Sequence, residues 1–148
     1  MRYLLDTNIL IHLIRRSEKA LQIERDFQLF SPENILFISA VTKGELLSFA
    51  KQSEWGLPKM QRLREVLQTV SGIPITSESP LMDAYADIDA FSQGKHPEYD
   101  LPPGLSARNM GKNDLWIAST AFLLDIPLLT TDADFEHLHP NFIVVHRV

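Results

Sequence analysis

The chain has 148 residues, 45% apolar and 22% charged with nine prolines spread along it, which fits a globular fold of one domain (1–148) and excludes a disordered chain. It has no cysteine, so disulfide frameworks, thiolate zinc sites and cysteine nucleophiles are excluded, and carboxylates and histidines remain as the strong metal ligands. The formal charge of −5, from 14 basic and 19 acidic residues, runs against the basic footprint of a nucleic-acid enzyme unless acids gather around bound cations.

Tyr3-Leu4-Leu5 reads as a short buried strand ending at Asp6. Residues 8–16 are apolar nearly all round their early turns, as in a helix packed close to a sheet, and a second helix is expected over 18–30. His12 and Arg15-Arg16 break the apolar run, which is neither signal peptide nor membrane span; a cytoplasmic location is expected. Ser31-Pro32-Glu33-Asn34 is a turn, Ile35-Leu36-Phe37-Ile38 a strand, and Ser39 caps a helix to about Gln52 that carries Glu45. Gly56-Leu57-Pro58 starts a helix to about Val70, Gly72 to Thr76 is a short strand, and another helix follows over 79–92. Between Gln93 and Lys112 the breakers Gly94, Pro97, Pro102, Pro103, Gly104 and Gly111 predict an irregular, functional loop. Asp114 opens a helix to about Asp125, Leu128-Leu129 is a strand leading to Thr130-Thr131-Asp132, and Phe142 to Val145 is the last strand.

Strands alternating with helical crossovers predict a three-layer α/β/α sandwich around a mostly parallel sheet. Ligands of such sheets bind beyond the carboxyl ends of the strands, and there this reading gathers Asp6, Glu45, Asp114 and Asp132. Each acid alone has a structural explanation: Asp6 and Asp114 as helix caps, Glu45 as partner of Thr42 in a capping box, Asp132 as a turn residue. Four acids at one sheet edge, however, repel one another unless a cation or shared protons offset the charge. An all-oxygen site suits Mg2+ or Mn2+. The matching chemistry is hydrolysis of a phosphodiester, with an acid free of metal orienting the water or taking its proton.

Leu4-Leu5-Asp6-Thr7-Asn8-Ile9-Leu10, Val41-Thr42-Lys43-Gly44-Glu45-Leu46, Lys112-Asn113-Asp114-Leu115-Trp116-Ile117-Ala118 and Leu129-Thr130-Thr131-Asp132-Ala133-Asp134-Phe135 resemble, in order, the four motifs of PIN-domain nucleases, VapC-like toxins among them. The resemblance implies a metal-dependent endoribonuclease with Asp6 and Asp114 as metal ligands, Glu45 as ligand or water-orienting group, and Asp132 as ligand directly or through water. Asn8 and Thr130 match supporting polar positions, and Asp134 is a further, weaker match. It also implies a homodimer, for which the helices between Ser17 and Val70 are the candidate surface, and, for a toxin, an antitoxin partner. The 93–112 segment departs from the pattern, being longer than its counterpart in compact VapC-like toxins.

Lys43, Arg108 and Lys112 stand near the acids in sequence and are candidates for holding RNA phosphates, a solvated surface being the equal alternative. Tyr99 is a candidate for base stacking or loop packing, and Trp55 and Trp116 for packing or a dimer surface. No pair of the five histidines has metal-ligand spacing. Two other classes place acids after parallel strands. A haloacid dehalogenase phosphatase needs an aspartate where Asn8 stands, and a phospho-receiver domain needs a lysine near Thr130-Thr131-Asp132. A PIN fold serving as an inactive binding scaffold is the remaining alternative.

Overall fold

The computed structural model describes residues 1–148. Five short strands, β1 (Arg2–Leu5), β2 (Ile35–Ser39), β3 (Val70–Ile73), β4 (Leu128–Thr130) and β5 (Val145–Arg147), form one sheet in the order β3-β2-β1-β4-β5. Every pairing is parallel. The connections carry α1 (Thr7–Arg15), α2 (Glu18–Phe27), α3 (Ala40–Gln52), α4 (Leu57–Thr69), α5 (Ser79–Ser92) and α6 (Lys112–Leu124), with a 3-10 helix at Ala133–Leu138. No helix is long and apolar enough to cross a membrane.

Side chains alternate across each strand, and so they feed two cores. Tyr3, Leu5, Leu36, Ile38 and Leu129 pack under α1 to α4 with Ile9, Leu10, Ile14, Leu46 and Leu63. Leu4 and Leu128 turn the other way, onto Ile88, Phe91, Leu115, Ile117, Ala118 and Phe135. Both faces of the sheet are therefore covered, which completes the expected three layers. The chain leaves β1 toward β2 and β3 on one side and returns to β4 and β5 on the other, so a crevice opens between the carboxyl ends of β1 and β4.

Local chemistry sets where the helices begin. Asp6 caps α1, its Oδ1 accepting from the Thr7 N–H at 2.7 Å, and Ser39 caps α3 by accepting from Val41 N–H. The Thr42–Glu45 capping box, the structural alternative for Glu45, is absent. With Ser39 as the cap, Thr42 falls inside the first turn, buried and with its hydroxyl unpartnered, and Glu45 is free to point elsewhere. Nor is Asp114 a cap: α6 starts at Lys112 behind Gly111, and Asp114 sits in its first turn.

Three boundaries differ from the sequence expectation. α2 stops at Phe27 because Gln28 takes a left-handed φ of 47° and returns its N–H to Glu24. β3 begins at Val70, directly where α4 ends, rather than at Gly72. β5 begins at Val145, because the amides of Phe142 and Ile143 are spent on the Leu138 carbonyl, and Ile143 is drawn into the second core. Residues 93–111 form no regular element, as their breakers predicted, and are tied down by Lys95 N–H to the Ala90 carbonyl and Arg108 N–H to the Ser92 carbonyl.

Candidate active site

A cleft of about 620 Å³ lies over the crevice between β1 and β4, and Asp6, Glu45, Asp114 and Asp132 all line it. Four separate elements deliver them. Asp6 follows β1, Glu45 projects from the second turn of α3, Asp114 from the first turn of α6, and Asp132 caps the 3-10 helix after β4, accepting from the Asp134 N–H at 2.9 Å. Gly111 leaves room beside Asp114, since a Cβ there would stand 3.3 Å from its Oδ2.

Short polar side chains hold the acids in place. Thr130 donates its hydroxyl to Asp6 Oδ2 at 2.7 Å and accepts from the Asp132 N–H at 2.9 Å, linking two of the four carboxylates. Thr7 Oγ1 donates to Glu45 Oε1 at 2.7 Å, and Asn113 Nδ2 donates to Glu45 Oε2 at 3.1 Å. Thr130 was among the expected supports; Thr7 and Asn113 were not. The available signal was their chemistry: each is a small hydrogen-bond donor adjacent in sequence to an acid of the set. Asn8 lines the cleft and is exposed, whereas Asp134 is exposed outside the lining.

The cleft is electrostatically unbalanced. No lysine or arginine lines it, and none of its four acids is ion-paired; the two pairs in the molecule are His96–Asp87 and Arg147–Glu136. Burial raises the Asp6 carboxyl, with hydrogen bonds from Thr130 and Thr7 opposing and the charges of Glu45 and Asp132 adding. Asp114 is pushed up to about 6, first by burial and then by Asp6, Asp132, Glu45 and Asp134. The acids are not drawn together into a closed ligand set. A hard divalent cation nevertheless fits this donor set: the lining acids offer only oxygen, their mutual repulsion has no internal counter-charge, and magnesium keeps several waters rather than requiring an all-protein cage.

The three expected phosphate-holding cations do not line the cleft. Lys43 and Lys112 are exposed next to the lining residues Gly44 and Asn113, while Arg108 lines a separate hollow with Asp134. In their place the lining runs on along α1 and α3 through Ile11, Ser48, Phe49 and Gln52, which sequence reasoning did not single out. Their spacing from Asn8 and Glu45 by three, four and seven residues was the signal for a shared helix face. Trp55 belongs to the first core, and Trp116 packs on Tyr85 with ring centroids 4.4 Å apart. Tyr99 packs on His96 and Phe142 in the 93–111 segment, away from the cleft.

Among solved structures, the chain resembles one from the VapBC2 complex of Rickettsia felis bound to a promoter DNA fragment, with TM-score 0.75 and 23% identity over 99% of this chain and 98% of that one. It also resembles a chain of VapBC-1 from nontypeable Haemophilus influenzae, at TM-score 0.70 and 22% identity over the same shares. A toxin-antitoxin complex from Klebsiella pneumoniae gives TM-score 0.63 and 24% identity over 99% of each chain. At such identities the likeness is one of fold. No curated protein matches the chain. The sequence pattern of the PIN domain, however, matches residues 3–139, and with nearly the whole chain inside that match, the protein belongs to the PIN-domain family.

Proposed function

We propose that the chain is an endoribonuclease that depends on Mg2+ or Mn2+ and serves as the toxin of a toxin–antitoxin pair. The observation that carries the chemistry is the convergence of Asp6, Glu45, Asp114 and Asp132 on one open cleft with no internal cation. Family membership and the toxin–antitoxin neighbours support the biological role.

In this reading Asp6, Asp114 and Asp132 hold the cation. When bound, it activates water at neutral pH and offsets charge developing on the phosphodiester. Glu45, held at both oxygens by Thr7 and Asn113, orients the attacking water or takes its proton. Thr130 keeps Asp6 aligned and favours its charged form against the effect of burial, and Asn8 offers an exposed amide to the substrate backbone. Asp134 adds negative charge beside Asp114. Lys43 and Lys112, exposed beside lining residues, supply positive charge for flanking phosphates. Exposed Leu21 and Leu57, on α2 and α4, support a partner-covered face among the helices between Ser17 and Val70, for a second copy or an antitoxin. A monomer at high micromolar concentration refutes the homodimer, and isolation from native cells without any partner counts against the antitoxin.

The test is incubation with a pool of fluorescent single-stranded RNAs in manganese, magnesium or chelator, beside an Asp6→Asn, Asp114→Asn variant of unchanged circular dichroism. Metal-dependent cleavage that the variant lacks establishes activity and site together. A folded wild type that neither binds metal nor cleaves overturns the proposal in favour of a binding scaffold.

A further inference from the structure

The cleft is longer than its carboxylates require. Beyond Glu45 it runs between α1 and α3, where its lining changes from acids to Ile11, Ser48, Phe49 and Gln52. Phe49 has the Arg15 guanidinium 5.1 Å from its ring centroid and meets Trp55 edge-on at 5.7 Å, so its ring is held in orientation at the cleft wall. Gln52 donates its amide to Ser48 Oγ at 2.8 Å, which leaves the amide oxygen and a second N–H for a ligand. Arg15 is exposed and makes no ion pair.

We infer that this limb is a nucleotide subsite, in which an unpaired RNA base beside the scissile phosphate lies on the Arg15–Phe49 platform, is read at its edge by Gln52, and has its flanking phosphate met by Arg15. The inference rests on the ribonuclease reading above and specifies how that enzyme selects its target. Three properties of the limb point to a base rather than to a sugar chain or a peptide. An aromatic ring with a guanidinium on it stacks on the face of any base. A carboxamide offers the paired donor and acceptor that a base edge presents. The limb also opens directly into the acidic end of the same cleft, so a base in it is joined to a phosphate at the carboxylates without a break. It also gives the substrate a cation: Arg15 stands on α1 four residues beyond the lining residue Ile11, over the Phe49 ring.

The experiment uses a 5′-fluorescein random dodecamer RNA pool and the wild type beside Gln52→Ala, Arg15→Gln and Phe49→Leu. Cleavage sites are sequenced in manganese, and pool affinity is read by anisotropy in calcium. Metal affinity from calorimetry serves as the control. The expected result is a base preference at one position beside the cut that Gln52→Ala flattens, together with pool binding weakened about tenfold by Arg15→Gln and metal affinity unchanged. Gln52 and Arg15 are exposed, so their variants keep the fold even if Phe49→Leu, which packs on the core, does not. A wild type that cleaves with a base preference both exposed-residue variants retain overturns the subsite and leaves the nuclease standing. A wild type that binds metal but neither binds nor cleaves the pool overturns both.

Discussion

Thr130 donates its hydroxyl to Asp6 Oδ2 at 2.7 Å across 124 positions of chain, tying the end of β4 to the residue that follows β1. Both residues are buried, so the bond is not exchanged for water when it is lost. Thr130→Val keeps the shape and removes the donor, leaving a buried carboxylate short of one partner. The expected cost is about 1 to 3 kcal/mol in urea unfolding at pH 7. Thr130→Ser restores most of it, and an equal loss in both variants would point to packing instead.

Asp114 makes the metal-free protein less stable as pH rises. Burial and the neighbouring acids push its carboxyl up from the ordinary 3.8 to about 6, so the folded state binds the proton more tightly. That contribution is full below about pH 4 and is lost as pH climbs through about 6. Urea unfolding in chelator should show this decline, and Asp114→Asn should be about 1 to 3 kcal/mol more stable than wild type at pH 8. Metal binding at pH 6 should release more protons than at pH 8, a difference that calorimetry in buffers of unlike ionisation enthalpy reads and that the variant abolishes.

His137 acts in the opposite sense. It is buried, its Nε2 is 2.7 Å from Ser92 Oγ, and burial followed by the charge of Arg108 pushes it down to about 4. Its contribution is therefore whole above about pH 6.5 and is lost as pH falls toward 4. The wild type should lose about 2 to 3 kcal/mol more than His137→Gln between pH 7 and pH 4. Parallel pH profiles for the two proteins would remove His137 as the cause.

Glu45 takes hydrogen bonds from Thr7 and Asn113, one at each oxygen. If Glu45 works as proposed, Asn113→Ala or Thr7→Val lowers the cleavage rate about 10- to 100-fold, the size of effect that partners behind a metal-site carboxylate have. Thr7→Ser should recover it. Loss of affinity for RNA with the rate unchanged would argue that these residues bind substrate instead.

The sequence made the sheet edge readable because Asp6 and Asp132 come just after short apolar runs, Asp114 opens an amphipathic one, and Glu45 lies in the second turn of a helix that directly follows a strand. Leu4-Leu5-Asp6 and Leu128-Leu129-Thr130 are examples, paired in register as adjacent strands. The hydrogen bonds that hold Glu45 were not readable, because Thr7–Glu45 and Asn113–Glu45 depend on the rotation of α3 and α6 about their axes. The last strand was displaced because Phe142 and Ile143 have strand-forming side chains that the second core claims for packing.

The first strand of the chain is the middle strand of the sheet, and it waits for β4, joined to it in the register Leu4 to Leu128. The loop closed by that pairing spans most of the sequence, so its entropy must be met before the contact rewards it. A chain growing from its N-terminus carries Asp6 and Glu45 before Asp132 is there to complete the set. The four carboxylates therefore come together only with the docking of β4, which brings Thr130 and Asp132 to the end of β1.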